Sequence, residues 1–180
     1  MNRRQQKTRK AIFDAFTGLL EKKAYSKISV QEIIDEANVG RSTFYAHFET
    51  KDDLVRTLCN EIFAHVFSDD LQRERTHDFS ARKKDIEGEI THILYHLNDS
   101  RPYLRRILLS DSAEVFMRYF KDYLRQVFKG ELNKHDSAVP QDYMLNHMVC
   151  DFAETVRWWM QNERYSAEEI SCFFFAATPF

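Results

Sequence analysis

Apolar side chains recur three and four positions apart through most of this chain, in blocks separated by short polar breaks, and no block alternates as a strand would. Leu54, Leu58, Ile62, Phe63 and Val66 form a stripe on a helix that Thr50 can cap, with Asp53 at its third position, ending near Ser68. Ser68 to Lys84 is highly charged with only weak period and reads as a connection. Beyond it, Ile86, Ile90, Ile93, Leu94 and Leu97 predict a helix over about 85–97 that stops at Asn98-Asp99-Ser100, ahead of Pro102. Tyr103, Leu104, Ile107 and Leu108 mark a shorter helix, and an aromatic-rich stripe from Val115 to Phe128 a long one over about 112–132. The polar stretch Asn133 to Pro140 is a loop, after which the amphipathic pattern resumes over about 141–162. Ser166 and Glu169 make a capping box for a last helix through Ile170, Phe173, Phe174 and Phe175. Three adjacent phenylalanines cannot share one face, and each is worth about 1.5–3 kcal/mol when buried, so this helix needs cover on more than one side. A second copy of the chain is the economical cover.

The segment 29–51 carries a different message. Ser29 and Glu32 form a capping box that starts a short helix, with Ile33, Ile34 and Ala37 on its apolar face. Asn38-Val39-Gly40 then breaks the pattern with two residues that tolerate positive φ. Phe44 and Phe48 lie four apart and can pack inward, leaving Arg41, Ser42, Thr43, Tyr45 and His47 for the outer and flanking surfaces. Two short helices with small polar, aromatic and basic groups outside the second are the layout of a DNA-reading helix-turn-helix.

Thr8 to Leu58 resembles the TetR family of bacterial transcriptional regulators. The resemblance rests on a first helix holding Ile12, Phe13, Phe16, Leu19 and Leu20, on the helix-turn-helix, and on Thr43, Tyr45, His47, Phe48, Lys51 and Leu54 at the spacing T-x-Y-x-H-F-x-x-K-x-x-L. It implies that Ser29 caps and contacts a phosphate, and that Gly40, Arg41, Ser42 and Thr43 form the turn and start of the recognition helix, with Arg41 the candidate to fork onto a guanine. Tyr45 and His47 resemble the family's phosphate or thymine-methyl contacts, Ala46 a methyl contact, and Lys51 a point charge for the backbone. Ala24 and Asn38 depart from the family pattern, standing where glycines are usual. The resemblance also implies a dimer made by the last two long helices, with Leu145, Met148, Phe152, Val156, Trp159, Phe173 and Phe174 at its interface. Tyr95, Tyr103, Phe116, Phe120 and Trp158 would line an effector cavity or fill a core.

Charge sharpens this division. The net charge is −2, yet residues 1–56 hold 11 Lys and Arg against 8 Asp and Glu, a net of +3, which leaves −5 on the remainder. Arg3, Arg4, Lys7, Arg9 and Lys10 precede the motif without an acid, as an arm for phosphates or a minor groove, or as a solvated, partly frayed end. No apolar stretch approaches the ~20 residues of a membrane span, and the basic start lacks a signal-peptide core, so a cytoplasmic protein is expected. Cys59, Cys150 and Cys172 are widely spaced and read as buried thiols, with neither disulfides nor zinc suggested. His92 and His96, with Glu89 one turn earlier, have metal-ligand spacing but no zincin pattern and read as half-exposed helical histidines. No metal, cofactor or catalytic constellation is indicated.

The sequence therefore predicts an all-α chain: an N-terminal three-helix helix-turn-helix DNA-binding domain over residues 1–51, a connecting helix over 52–68, and a helical effector-binding and dimerisation domain over 69–180. The expected function is a ligand-responsive repressor, acting as a homodimer on a pseudo-palindromic double-stranded DNA operator and released by a small apolar or aromatic effector. A related activator, or a regulator controlled by a partner protein, is the alternative.

Overall fold

The computed structural model describes residues 3–63, 85–99, 101–109, 113–132 and 139–178. Every regular element among them is helical: α1 Arg3–Lys22, a 3₁₀ turn Tyr25–Lys27, α2 Val30–Glu36, α3 Arg41–Tyr45, α4 Lys51–Phe63, α5 Ile86–Asp99, α6 Arg101–Leu108, α7 Ala113–Leu132, α8 Gln141–Gln161 and α9 Ala167–Ala177. The predicted connection at 68–84, the far end of the fourth helix and most of the 133–140 loop lie outside the described residues.

Two compact units divide the chain, one joining residues 1–59 to 102–116 and the other 60–101 to 117–180. In the first, Ile12, Phe16, Ile33, Phe44 and Leu54 are fully buried where α1, α2, α3 and α4 contribute their apolar faces. Edge-on contact of Phe13 with Phe48, ring centroids 5.6 Å apart, ties α1 to the segment after α3. Leu104, Ile107 and Leu108 of α6 are buried, and α6 clusters with these N-terminal helices. The second unit is centred on aromatic rings from α7, α8 and α9: Phe120 and Phe128 each lie 6.2 Å from Phe152, which meets Phe174 edge-on at 5.0 Å. Packing of α5 against α9 adds a buried hydroxyl pair, Thr91 Oγ1 and Ser171 Oγ hydrogen-bonded at 2.9 Å, and a hydrogen bond from Tyr95 to Glu168.

Local chemistry sets the helix starts. Ser29 and Ser166 both complete reciprocal capping boxes, with Glu32 and Glu169. Thr50 and Asp53 do the same ahead of α4: the Asp53 N–H donates to Thr50 Oγ1 at 3.2 Å, and Asp53 Oδ2 accepts from Thr50 N at 2.9 Å. α2 ends in a Schellman motif, with Val39 N–H on the Ile34 carbonyl at 3.1 Å and Asn38 N–H on that of Asp35 at 3.2 Å. Asn38 supplies the left-handed residue, at φ 51°. Gly40 does not: it caps α3 with φ −73°, so only one of the two residues that tolerate positive φ adopts it. Ala24 sits at φ −60° and ψ 145°, ordinary extended geometry that explains why glycine is unnecessary there.

Several burial expectations are corrected. His92 and His96 are buried, not half-exposed, because the middle of α5, residues 90–94, is buried without a break, and their Nε2 atoms pair at 3.0 Å. Of the cysteines only Cys59 is buried, where burial pushes its thiol pKa up; Cys150 is half-buried and Cys172 exposed. No helix among the described residues is long and apolar enough to cross a membrane.

Candidate nucleic-acid interface

The inner and outer faces of α3 separate cleanly. Phe44 is fully buried and Phe48 nearly so, anchoring the short helix from beneath, and they leave Arg41, Ser42 and Tyr45 exposed and Thr43 half-buried. Tyr45 is 51% exposed, its ring held edge-on by Phe44 at 5.4 Å. It is therefore a presented ring, held from one side only. The first i→i−4 bond of α3 runs from Phe44 N to Gly40 O, so the amides of Arg41, Ser42 and Thr43 precede the ladder. α3 ends at Tyr45, and exposed Ala46 caps it with αR geometry. His47 follows in the turn, half-buried, with its ring 6.3 Å from that of Phe48.

Two candidate residues have their donors directed inward. Ser29 N–H and Oγ–H both point at Glu32 Oε2, at 2.9 and 2.8 Å, so the groups that the sequence offered to a phosphate are committed to the capping box. Lys23, joined to Glu32 by an ion pair, and then Ser29 hold the Glu32 carboxyl at about 2, well below its ordinary 4.5. The Lys51 ammonium donates to the carbonyls of Tyr25 and Ile28, both at 2.8 Å, and lies 4.1 Å from the Tyr25 ring centroid. Tyr25 in turn donates its hydroxyl to Asp52. Lys51 thus stitches the 3₁₀ turn to the start of α4.

Arg41 Nη2 donates to Gln31 Oε1 at 2.6 Å across the turn from α2. No motif or periodicity in the sequence marks Gln31. Its only signal is position, the outer side of the first turn of α2, which the helix-turn-helix geometry sets beside the start of α3. The basic stretch before the motif is helical from Arg3 onward, not an extended arm. Lys10 pairs with Asp14 at 2.7 Å, and Arg9 lies over the rings of Phe13 and Phe48 at 6.0 and 5.7 Å.

The aromatic candidates are divided between the two units. Phe120 packs into the ring cluster and Phe116 is equally buried, clustering with the first unit. Tyr95 is committed to Glu168, whereas Trp158 is 45% exposed and stacks on Tyr165 at 5.6 Å. The Tyr103 side chain lies outside the described residues. Polar groups in the second unit's interior include the His92–His96 pair, the Thr91 and Ser171 hydroxyls and half-buried Tyr123, whose pKa is raised by burial and then by the charge of Glu89. No cluster of three or more metal-ligating side chains occurs among the described residues. Of the dimer candidates, Met148, Phe152, Val156, Trp159 and Phe174 are buried within the protomer itself. Periodicity marked them as apolar-facing without saying what they face. What α8 and α9 leave outside is Tyr143, Trp158 and Phe173, with Leu145 half-buried. Trp158 and Phe173, with Asp151 and Glu154, line a groove of about 450 Å³.

Residues 12–58 match the profile described as bacterial regulatory proteins, tetR family, and residues 84–177 that described as transcriptional regulator C-terminal region. The chain belongs to the TetR family. Among solved structures, this TetR-family chain is similar to a TetR transcriptional regulator from Streptococcus agalactiae 2603V, 32% identical, with TM-score 0.72 over 97% of this chain and 94% of that one. It shares its fold with NalD, the secondary repressor of the MexAB-OprM multidrug efflux pump in Pseudomonas aeruginosa, at 16% identity and TM-score 0.61, covering 97% and 95% of the two chains. It is also 25% identical over 131 residues to the dhaKLM operon transcriptional activator DhaS of Lactococcus lactis subsp. lactis (strain IL1403), a match spanning 72% of this chain and 65% of that protein. TetR-family membership makes it a DNA-binding transcriptional regulator.

Proposed function

We propose that this TetR-family protein binds a pseudo-palindromic operator as a homodimer and represses the adjacent promoter until a small apolar or aromatic effector releases it. The observation that carries the reading is the outward face of α3, where Arg41, Ser42 and Tyr45 stand exposed on a helix anchored by buried Phe44 and Phe48. Arg41 offers a fork for guanine N7 and O6, and Ser42, Thr43, Tyr45, Ala46 and His47 offer phosphate or methyl contacts around it. Two such helices about 34–36 Å apart meet successive major-groove faces, which a two-fold dimer supplies. The exposed apolar side chains Trp158 and Phe173 on α8 and α9 support that dimer. An effector would act by favouring a conformer in which the recognition helices are mis-spaced.

A second reading is an activator, or a regulator held by a partner protein. It is favoured by the likeness to DhaS, itself an operon activator, and by the same exposed aromatic groove, which a partner could occupy instead. The deciding experiment is selection of bound duplexes from random DNA by the purified protein near physiological salt, because salt sets the non-specific background. Enrichment of a pseudo-palindrome supports the dimeric operator binder, and transcription from a promoter carrying that site separates repression from activation. A folded, dimeric protein that enriches no sequence refutes the reading.

A further inference from the structure

We infer that Gln31, on α2, is a specificity-determining residue: it and Arg41 act as one base-reading unit whose hydrogen-bonding polarity is set by Asp35. The inference rests on the operator-reading assignment and extends it to a residue outside the recognition helix.

The chemistry of the three groups leaves one arrangement. Gln31 Nε2 donates to Asp35 Oδ1 at 2.8 Å, and Gln31 Oε1 accepts from Arg41 Nη2 at 2.6 Å. A carboxylate can only accept and a guanidinium can only donate, so the amide has a single orientation that satisfies both neighbours. Turning it over would set oxygen against oxygen at Asp35 and N–H against N–H at Arg41. Asp35 therefore obliges Gln31 to present an acceptor to Arg41. The donor–acceptor chain crosses from α2 to α3 on the outside of the motif, where all three side chains are exposed.

Without the relay, Arg41 at the first position of α3 has a long side chain with many rotamers and phosphates within general reach. With it, one guanidinium nitrogen is held from behind, which aims the opposite edge of the fork away from α2. A planar fork held in this way suits the paired acceptors of a guanine better than a diffuse phosphate contact. The remaining acids of α2 do not compete for the cation, because Glu32 is paired with Lys23 and Glu36 with Lys22 at 3.3 Å.

The test is duplex selection repeated with Gln31→Ala, Asp35→Ala, Arg41→Ala and the Gln31→Ala/Arg41→Ala double variant, each checked for folding by thermal melting and for its salt slope on a fixed site. Arg41→Ala identifies the base pair that Arg41 reads. Gln31→Ala should then lower discrimination at that same pair by about fivefold or more, with the salt slope unchanged, and should add nothing in the Arg41→Ala background. Asp35→Ala should lower it in the same direction. Uniform weakening of all sequences, altered preference at a different base pair, or additive effects in the double variant would overturn the inference while leaving operator binding intact. If the wild-type chain selects no sequence, the operator assignment itself fails, and this inference with it.

Discussion

Lys51 distinguishes a residue that holds the DNA-binding unit together from one that holds DNA, and its replacement by methionine separates the two. The side chain is half-buried, and its ammonium makes two charge-assisted hydrogen bonds at 2.8 Å, to the Tyr25 and Ile28 carbonyls. Methionine keeps the stem and removes the donors. The Tyr25 carbonyl retains the N–H of Ile28 at 3.0 Å, so its loss is partial. Allowing about 1.5–3 kcal/mol for a charged hydrogen bond and discounting for partial exposure, the pair contributes roughly 2 kcal/mol. Loss of the cation from the face of Tyr25 adds about 0.5 kcal/mol. The expected cost of about 2.5 kcal/mol corresponds to a fall of roughly 5–10 °C in the melting transition of a chain this long. The assay pairs thermal unfolding with operator affinity measured across salt concentration. Lys51→Met should lower the melting temperature and leave the slope of log K against log salt unchanged, because the cation is engaged with carbonyls. An unchanged melting temperature with a slope reduced by about one phosphate contact would refute the reasoning and make Lys51 a backbone clamp.

Other consequences can be checked in the same way. Asn38→Ala forces alanine into the left-handed region at the Schellman turn and should cost about 1 kcal/mol in denaturant titration, while Asn38→Gly should be close to neutral; equal losses from both would argue against a φ-based role. His92→Leu removes the Nε2 partner of buried His96 and should destabilise by about 1–3 kcal/mol, with His92→Leu/His96→Leu recovering part of the loss; strictly additive losses would show that the pair is not coupled. Glu32 has its folded pKa depressed to about 2 from 4.5, so its contribution is present above pH 4.5 and disappears as pH falls towards 2. Protection factors of the amides at the start of α2, corrected for intrinsic exchange, should fall over that window, and Glu32→Gln should flatten the pH dependence.

Features encoded within a few residues were legible in the chain. Both capping boxes, the Thr50–Asp53 start of α4 and the left-handed Asn38 need only neighbours in sequence to form. Burial was less legible, because it depends on which faces other helices cover. In α5, Ile90, Ile93, Leu94 and Leu97 gave the expected apolar stripe, yet Thr91, His92 and His96 are buried as well, since the middle of the helix is covered beyond that stripe. Phe173 and Phe174 are adjacent and chemically identical, but only the second enters the ring cluster with Phe128 and Phe152. In the interface the residue types on α3 could be read directly. The commitment of Ser29 and Lys51 to local acceptors could not, because it requires the placement of Glu32 and of the 3₁₀ turn. Gln31 stayed hidden for the related reason that its partner Arg41 lies ten positions away, beyond any helical spacing.

The chain has two tryptophans, adjacent on α8 and placed in opposite surroundings. Trp159 is fully buried with its indole N–H on the Tyr165 carbonyl at 2.9 Å, whereas Trp158 looks outward from the groove beside α9. Intrinsic emission is therefore a two-colour signal without any label: a water-relaxed, quencher-accessible component from one indole and a shielded component from the other. Whatever closes over the groove, a second copy or a partner, should extinguish acrylamide quenching of the first component and leave the second unchanged. Unfolding should merge the two.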